Sequence, residues 1–153
     1  MQSEKTFLPP NRYRLLWIAV AISMLAAMYL FQRFNFLGAI LSLVGQNHSA
    51  VHPYYFFIFN KTCRLIINDF SSFILIFALF NERKYMKVAL GVFLFEIVFL
   101  LPLYFVLKLS LEGDSEISSP LLSQLHRLIV NPTLMFLLIA AFLYQRFKEV
   151  RIP

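Results

Sequence analysis

Charge is scarce in this chain. Asp, Glu, Lys and Arg make up 14% of the 153 residues, while hydrophobic residues make up 59% and the mean hydropathy is +0.70. A soluble domain carries about 25% charged residues, so one water-exposed globule of this size is excluded. Cysteine is rarer still: Cys63 is the sole one, which excludes an intrachain disulfide. A metal-ligand cluster is lacking too. His48 and His52 are four apart, but Pro53 and the loop composition argue against a helix that would align them, and no third ligand stands nearby. With no soluble domain to carry a basic patch, the formal charge of +6 points to orientation in a membrane and not to nucleic acid.

What is abundant is the uninterrupted apolar run. About 20 such residues cross the ~30 Å hydrocarbon layer as a helix, and four runs approach that length: 15–31, 65–80, 86–107 and 128–145, the last extending outward through "PLLSQLHR". The expected class is therefore all-α, a single polytopic membrane domain of four transmembrane helices. Lys5, Arg12 and Arg14 precede the first run as in a signal peptide, but no small-residue cleavage site follows and Arg33 closes it, so it reads as a retained signal anchor. Between the first two spans, 36–45 is apolar but too short to cross, and is expected to lie in the interface or dip back into the bilayer. The aromatic cluster at 54–59 suits the headgroup level. The acidic stretch 110–120 reads as a solvated turn.

Lysine and arginine are retained on the cytoplasmic side during insertion. With the N-terminus inside, nine of them (Lys5, Arg12, Arg14, Arg83, Lys84, Lys87, Arg146, Lys148, Arg151) fall on the inner side and five (Arg33, Lys61, Arg64, Lys108, Arg127) on the outer. Both termini are expected to be cytoplasmic.

A phrase repeats. Sliding the chain by 63 residues lays "RLIINDFSSFILIFALFNER" at 64–83 over "RLIVNPTLMFLLIAAFLYQR" at 127–146, matching Arg, Leu, Ile and Asn of the opening phrase and then Phe73 with Phe136, Ile76 with Ile139, Ala78 with Ala141 and Arg83 with Arg146. The 19 steps from Arg64 to Arg83 rise ~28 Å in a helix, so arginines bracket each span at its two interfaces. Arg83 and Arg146 read as snorkelling anchors. Arg64 and Arg127 differ, because Asn68 and Asn131 stand one turn deeper on the same face. Asn60, Arg64, Asn68 and Ser72 are spaced by four, as are Ser123, Arg127 and Asn131. Facing lipid these stripes would be costly, so they are expected to face protein and to contact a partner or an anion, with Asp69 as counter-ion and His126 and Cys63 nearby. Two converging guanidinium groups would repel unless a carboxylate or phosphate sat between them. Asn131 has a second reading as a helix N-cap, with Pro132 at the first helical position.

Glu96 is the charge left inside the third span. A carboxyl there is either protonated or paired. With no further ionisable group expected at its depth, it reads as a neutral carboxyl bonding between helices. Pro102 is expected to bend the same helix.

Three stretches, "RLIINDFSSFILIFALF" at 64–80, "LFEIVFLLPLY" at 94–104 and "LHRLIVNPTLMFLLIAAFLYQR" at 125–146, carry a family likeness over about the C-terminal 60% of the chain. In them the chain resembles the small exosortase-system-associated membrane proteins of bacteria, of the kind linked to exosortases F and X. The resemblance implies a non-enzymatic accessory protein of the bacterial inner membrane, without a cofactor. Its partners would be membrane lipids and an exosortase, the intramembrane cysteine transpeptidase that processes C-terminal sorting signals, or the substrate helix of that enzyme.

Two alternatives stand beside it. Cys63, Arg64, His126 and Arg127 supply the residue types of a membrane cysteine peptidase or transpeptidase at one depth, where guanidinium would favour a thiolate. The arginine stripe equally suits an anionic-lipid-binding protein. A transporter built on inverted repeats is not expected, because the repeated helices run in the same direction.

Overall fold

An apolar run in lipid has no water to satisfy its backbone, so each N–H and C=O must be bonded within the segment, which helix alone achieves for a single run. The computed structural model describes residues 11–45, 51–111 and 120–151; about 90% of it is helical, with no strand among the described residues. In chain order the elements are α1 (Asn11–Leu30), α2 (Phe36–Val44), α3 (Pro53–Phe80), α4 (Arg83–Phe95), a π-helical turn (Glu96–Leu100), α5 (Leu101–Leu111), α6 (Pro120–Val130) and α7 (Thr133–Arg151). Three helical stretches, Arg12–Leu30, Pro53–Phe80 and Arg83–Leu111, are long and apolar enough to cross a membrane. The bent pair Leu122–Val130 and Thr133–Lys148 would make a fourth span if taken as one.

The second span is longer than the expected 65–80. Its helix begins at Pro53 and takes in the aromatic cluster at 54–59. Pro53 opens the helix instead of preventing it: at the first position its missing N–H costs nothing and its fixed φ is already helical. His52 caps this end, its Nδ1 accepting from the N–H of Tyr54 at 3.3 Å, and this is the role the structure gives it in place of a metal ligand. At the other end Asn81 takes φ 52° and its N–H donates to Phe77 O.

The apolar segment at 36–45 forms a short helix of nine residues, far below the ~20 needed to cross. Asn35 and Asn60 satisfy its exposed N–H groups: Asn35 Oδ1 accepts from Gly38 N at 2.9 Å and from Asn60 Nδ2 at 2.9 Å, while Asn60 Oδ1 accepts from Leu37 N at 3.1 Å. Gly38 is required here, since a Cβ would stand 2.8 Å from Asn35 Nδ2.

The third span is continuous through Pro102. Proline lacks an N–H and clashes with the carbonyl four residues back. The helix widens just before it into the π turn at Glu96–Leu100, with Leu101 N–H bonding to Glu96 O.

Two apolar clusters hold the helices together. At one end Phe80, Tyr85 and Phe142 meet with ring centroids 4.5 to 5.5 Å apart, joining α3, α4 and α7 around Ile76 and Met135. At the other, Leu65, Leu101, Tyr104, Leu122 and Ile129 join α3, α5 and α6. Arg14 and Arg146 do more than anchor. Arg14 donates from α1 to the carbonyls of Ala78 (3.1 Å) and Leu79 (2.8 Å), and Arg146 reaches Leu79 O at 3.5 Å, so both cations sit on the negative C-terminal end of α3. Phe142→Ala is expected to destabilise the protein by about 3 kcal/mol in a detergent unfolding series, whereas Leu137→Ala, on an exposed face, leaves the midpoint unchanged.

Candidate functional site

The helix break between α6 and α7 organises the site. Pro132 has no N–H, α6 ends at Val130, and the two helices diverge by 63°. A break in lipid leaves carbonyl groups without partners, which is tolerated only where protein supplies donors. Asn68 supplies one: its Nδ2 donates to Val130 O at 2.7 Å. Thr133 Oγ1 donates to Arg127 O at 3.4 Å. Asn68 is 8% exposed, and the face of α3 that carries it also carries Arg64 one turn away, roughly 40° around the axis.

Beside this break lies a half-open cleft of about 810 Å³. Arg64, Asn68, His126, Arg127 and Asn131 all line it, together with Gln32. Its remaining walls are apolar: Ile22, Leu25, Ala26 and Met28 of α1, Leu75 of α3, and Phe136 of α7. Arg64 is half-buried and Arg127 exposed. Neither guanidinium makes a hydrogen bond or ion pair among the described residues. Arg64 and Asn68 of one stripe thus border the same cavity as Arg127 and Asn131 of the other. Asn131 is exposed and its side chain caps nothing, so the N-cap reading fails for it: α7 starts only at Thr133, whose N–H donates to the carbonyl of Asn131, not to its side chain.

A second cavity of about 870 Å³ adjoins the first, sharing Gln32, Arg64 and His126 with it. It is lined also by Arg33, Lys61, Lys108, Asn60 and Ser123. Every one of the five cations expected on the outer side therefore borders one cavity or the other. Lys61, Lys108, Arg64 and Arg127 all lie close enough to His126 to act on it electrostatically. His126 itself is held from two sides. Lys61 Nζ stands 3.5 Å from Nε2, and Tyr104 Oη is 2.7 Å from Nδ1. An ammonium only donates, so Nε2 accepts and Nδ1 carries the ring hydrogen toward Tyr104.

Two expectations are corrected. Asp69 is not the counter-ion of the arginines. Five residues on from Arg64, it lies roughly 140° around α3, is 1% exposed, and hydrogen-bonds instead to Glu96 on the π turn. Glu96 accordingly does have an ionisable neighbour at its depth. Cys63 is half-buried, lines neither cavity, and has no hydrogen-bond partner among the described residues; both ring nitrogens of His126 are engaged elsewhere. His48 and the greater part of the acidic stretch 110–120 lie outside the described residues.

Lys61, Gln32 and Tyr104 are the site residues that sequence reasoning passed over. Lys61 was legible, since it stands three residues before Arg64 on the same face; Gln32 comes from the turn after α1 and Tyr104 from α5, and neither carried a signal. Among the described residues no group of three His, Cys, Asp or Glu side chains is placed to hold a metal. Compared with family models, curated proteins and solved structures, the chain matches none of them.

Asn68→Ala is expected to cost about 1 kcal/mol, the scale of interhelical hydrogen bonds in membranes, because Val130 O loses its donor. Asn131→Ala, with no bond to lose, leaves unfolding unchanged, and a paired denaturation series separates the two amides.

Proposed function

We propose that the protein is a non-enzymatic binder of an anionic amphiphile, its phosphate or carboxylate held between Arg64 and Arg127 and its apolar chain lying in the cleft beside α1. The observation that carries this reading is the pair of guanidinium groups, unpartnered among the described residues, on a cavity whose other walls are apolar. Two like charges at the rim of a low-dielectric cleft repel, and an anion between them turns that repulsion into two charge-assisted hydrogen bonds. Asn131 and Gln32 add polar contacts at the same level.

From Arg64 to Leu75 the cleft follows α3 for ~16 Å. The cleft volume lies within the ~300–1,000 Å³ of small-molecule sites. The distribution of lysine and arginine supports placing the cationic end at the outer face of a bacterial inner membrane, with both termini in the cytoplasm. The absence of Cys63 from the lining of both cavities, and the engagement of both His126 ring nitrogens by Lys61 and Tyr104, support a binding role over a cysteine-nucleophile role.

A second reading is the accessory role in an exosortase system that the resemblance implies. It is favoured by the apolar groove between α4 and α7, lined by Val88, Gly91, Leu134, Leu138 and Ala141, where nothing stands within 4 Å of a Cβ placed on Gly91. Small residues let helix backbones approach closely in membranes, so the groove suits a transmembrane helix of the enzyme.

Native mass spectrometry of the full chain from detergent, with phosphatidylglycerol added, tests the first reading. One lipid should be retained by the wild type, and Arg64→Ala or Arg127→Ala should weaken retention at least tenfold; equal retention by both variants would sink it. For the second, an exosortase co-expressed with the chain should co-purify, and Gly91→Leu should release it.

A further inference from the structure

Away from the cleft, on the opposite side of α3, two carboxyl groups meet inside the protein. Asp69 and Glu96 are each 1% exposed, and they hydrogen-bond to each other. Asp69 Oδ2 and Glu96 Oε2 are buried with no N–H or O–H donor among the described residues. A carboxylate only accepts. Two of them in contact without a donor are therefore held together by a proton or driven apart.

The nearby donors are already spent. Ser71 and Ser72 donate to the carbonyls of Ile67 and Asn68, and Asn68 to that of Val130. Buried side chains on the surrounding helices are apolar at this level: Leu100 at the end of the π turn, Leu101 at the start of α5, Ile129 on α6, Met135 on α7. Arg64 is the nearest cation along α3, about 7.5 Å nearer the cationic end, and it lines the cleft on the other face. Lys108 lies ~18 Å along the third span from Glu96 and Tyr104 ~12 Å, the latter engaged with His126. Tyr85 is ~16 Å away in the other direction.

We infer that Asp69 and Glu96 form a proton-binding site within the membrane, a carboxylic acid and a carboxylate sharing one proton between the second and third spans. The proton is the ligand that the coordination allows. A metal cation such as calcium takes six or more oxygens, and no third His, Cys, Asp or Glu stands with the pair among the described residues. Two adjacent ionised carboxylates in a low-dielectric interior are excluded by their repulsion, and one shared proton relieves it through a hydrogen bond from the acid to the carboxylate. Glu96 stands on the first residue of the π turn, and such turns recur at functional positions inside helices.

Infrared spectroscopy of the full chain in lipid nanodiscs at neutral pH reads the protonated carboxyl directly. Of the eight acidic residues, the six besides this pair lie outside the long apolar runs. One protonated-carboxyl band per chain is expected in the wild type. Carbon-13 labelling of the Asp or the Glu carboxyls should shift it, and the double variant Asp69→Asn/Glu96→Gln should lack it. Absence of the band in the wild type, an intensity of two carboxyls, or a band unmoved by either label would overturn the inference. The labelled wild type decides the matter even where the double variant fails to fold.

Discussion

Hydrogen bonding of the backbone in a medium without water is the constraint on which the rest of the structure depends. An unsatisfied carbonyl in hydrocarbon costs several kcal/mol, and three irregularities in these helices have polar side chains assigned to them. The α6/α7 break receives the amide of Asn68. The C-terminal carbonyls of α3 receive the guanidinium of Arg14 from a different helix. The start of α2 receives Asn35 and Asn60. In a chain with so few polar groups, those placed inside the bundle are committed first to the backbone.

This priority separates two kinds of polar residue that look alike in the sequence. Asn68 and Asn131 occupy the same place in a repeated phrase, yet Asn68 is a buried staple between helices and Asn131 is exposed and uncommitted. Arg64 and Arg127 are uncommitted too. The cleft therefore has a cationic rim that the fold does not consume, beside apolar walls contributed mainly by α1. α1 packs along α3 with Ala21 fully buried and leaves its other sides exposed.

The helical class and the approximate spans were legible, because hydropathy and the 3.6-residue period report them directly. Boundaries were not. The second span was expected to start at residue 65 because Arg64 and Lys61 interrupt the apolar run, but long basic side chains bend toward the interface and let the helix continue to Pro53. The fourth span divides at Pro132, where the missing N–H leads one to expect a kinked or restarted helix, with a bend of 63°. The expectation that Asp69 would serve the arginines overlooked rotation around α3, since five residues place it on the far side.

By itself, the sequence determined that this chain is helical, apolar enough for a membrane, and marked at one level by matched arginines and asparagines, since each of these follows from composition and from spacing along one helix. Only the tertiary structure decided which groups meet. Spacing fixes the height and angle of a side chain on its own axis but says nothing of what the neighbouring helix presents there. The meeting of Arg64 with Arg127 on one cleft, of Asp69 with Glu96 on the other side, and of Asn68 with the carbonyl freed by Pro132 all depend on how the helices are packed against one another.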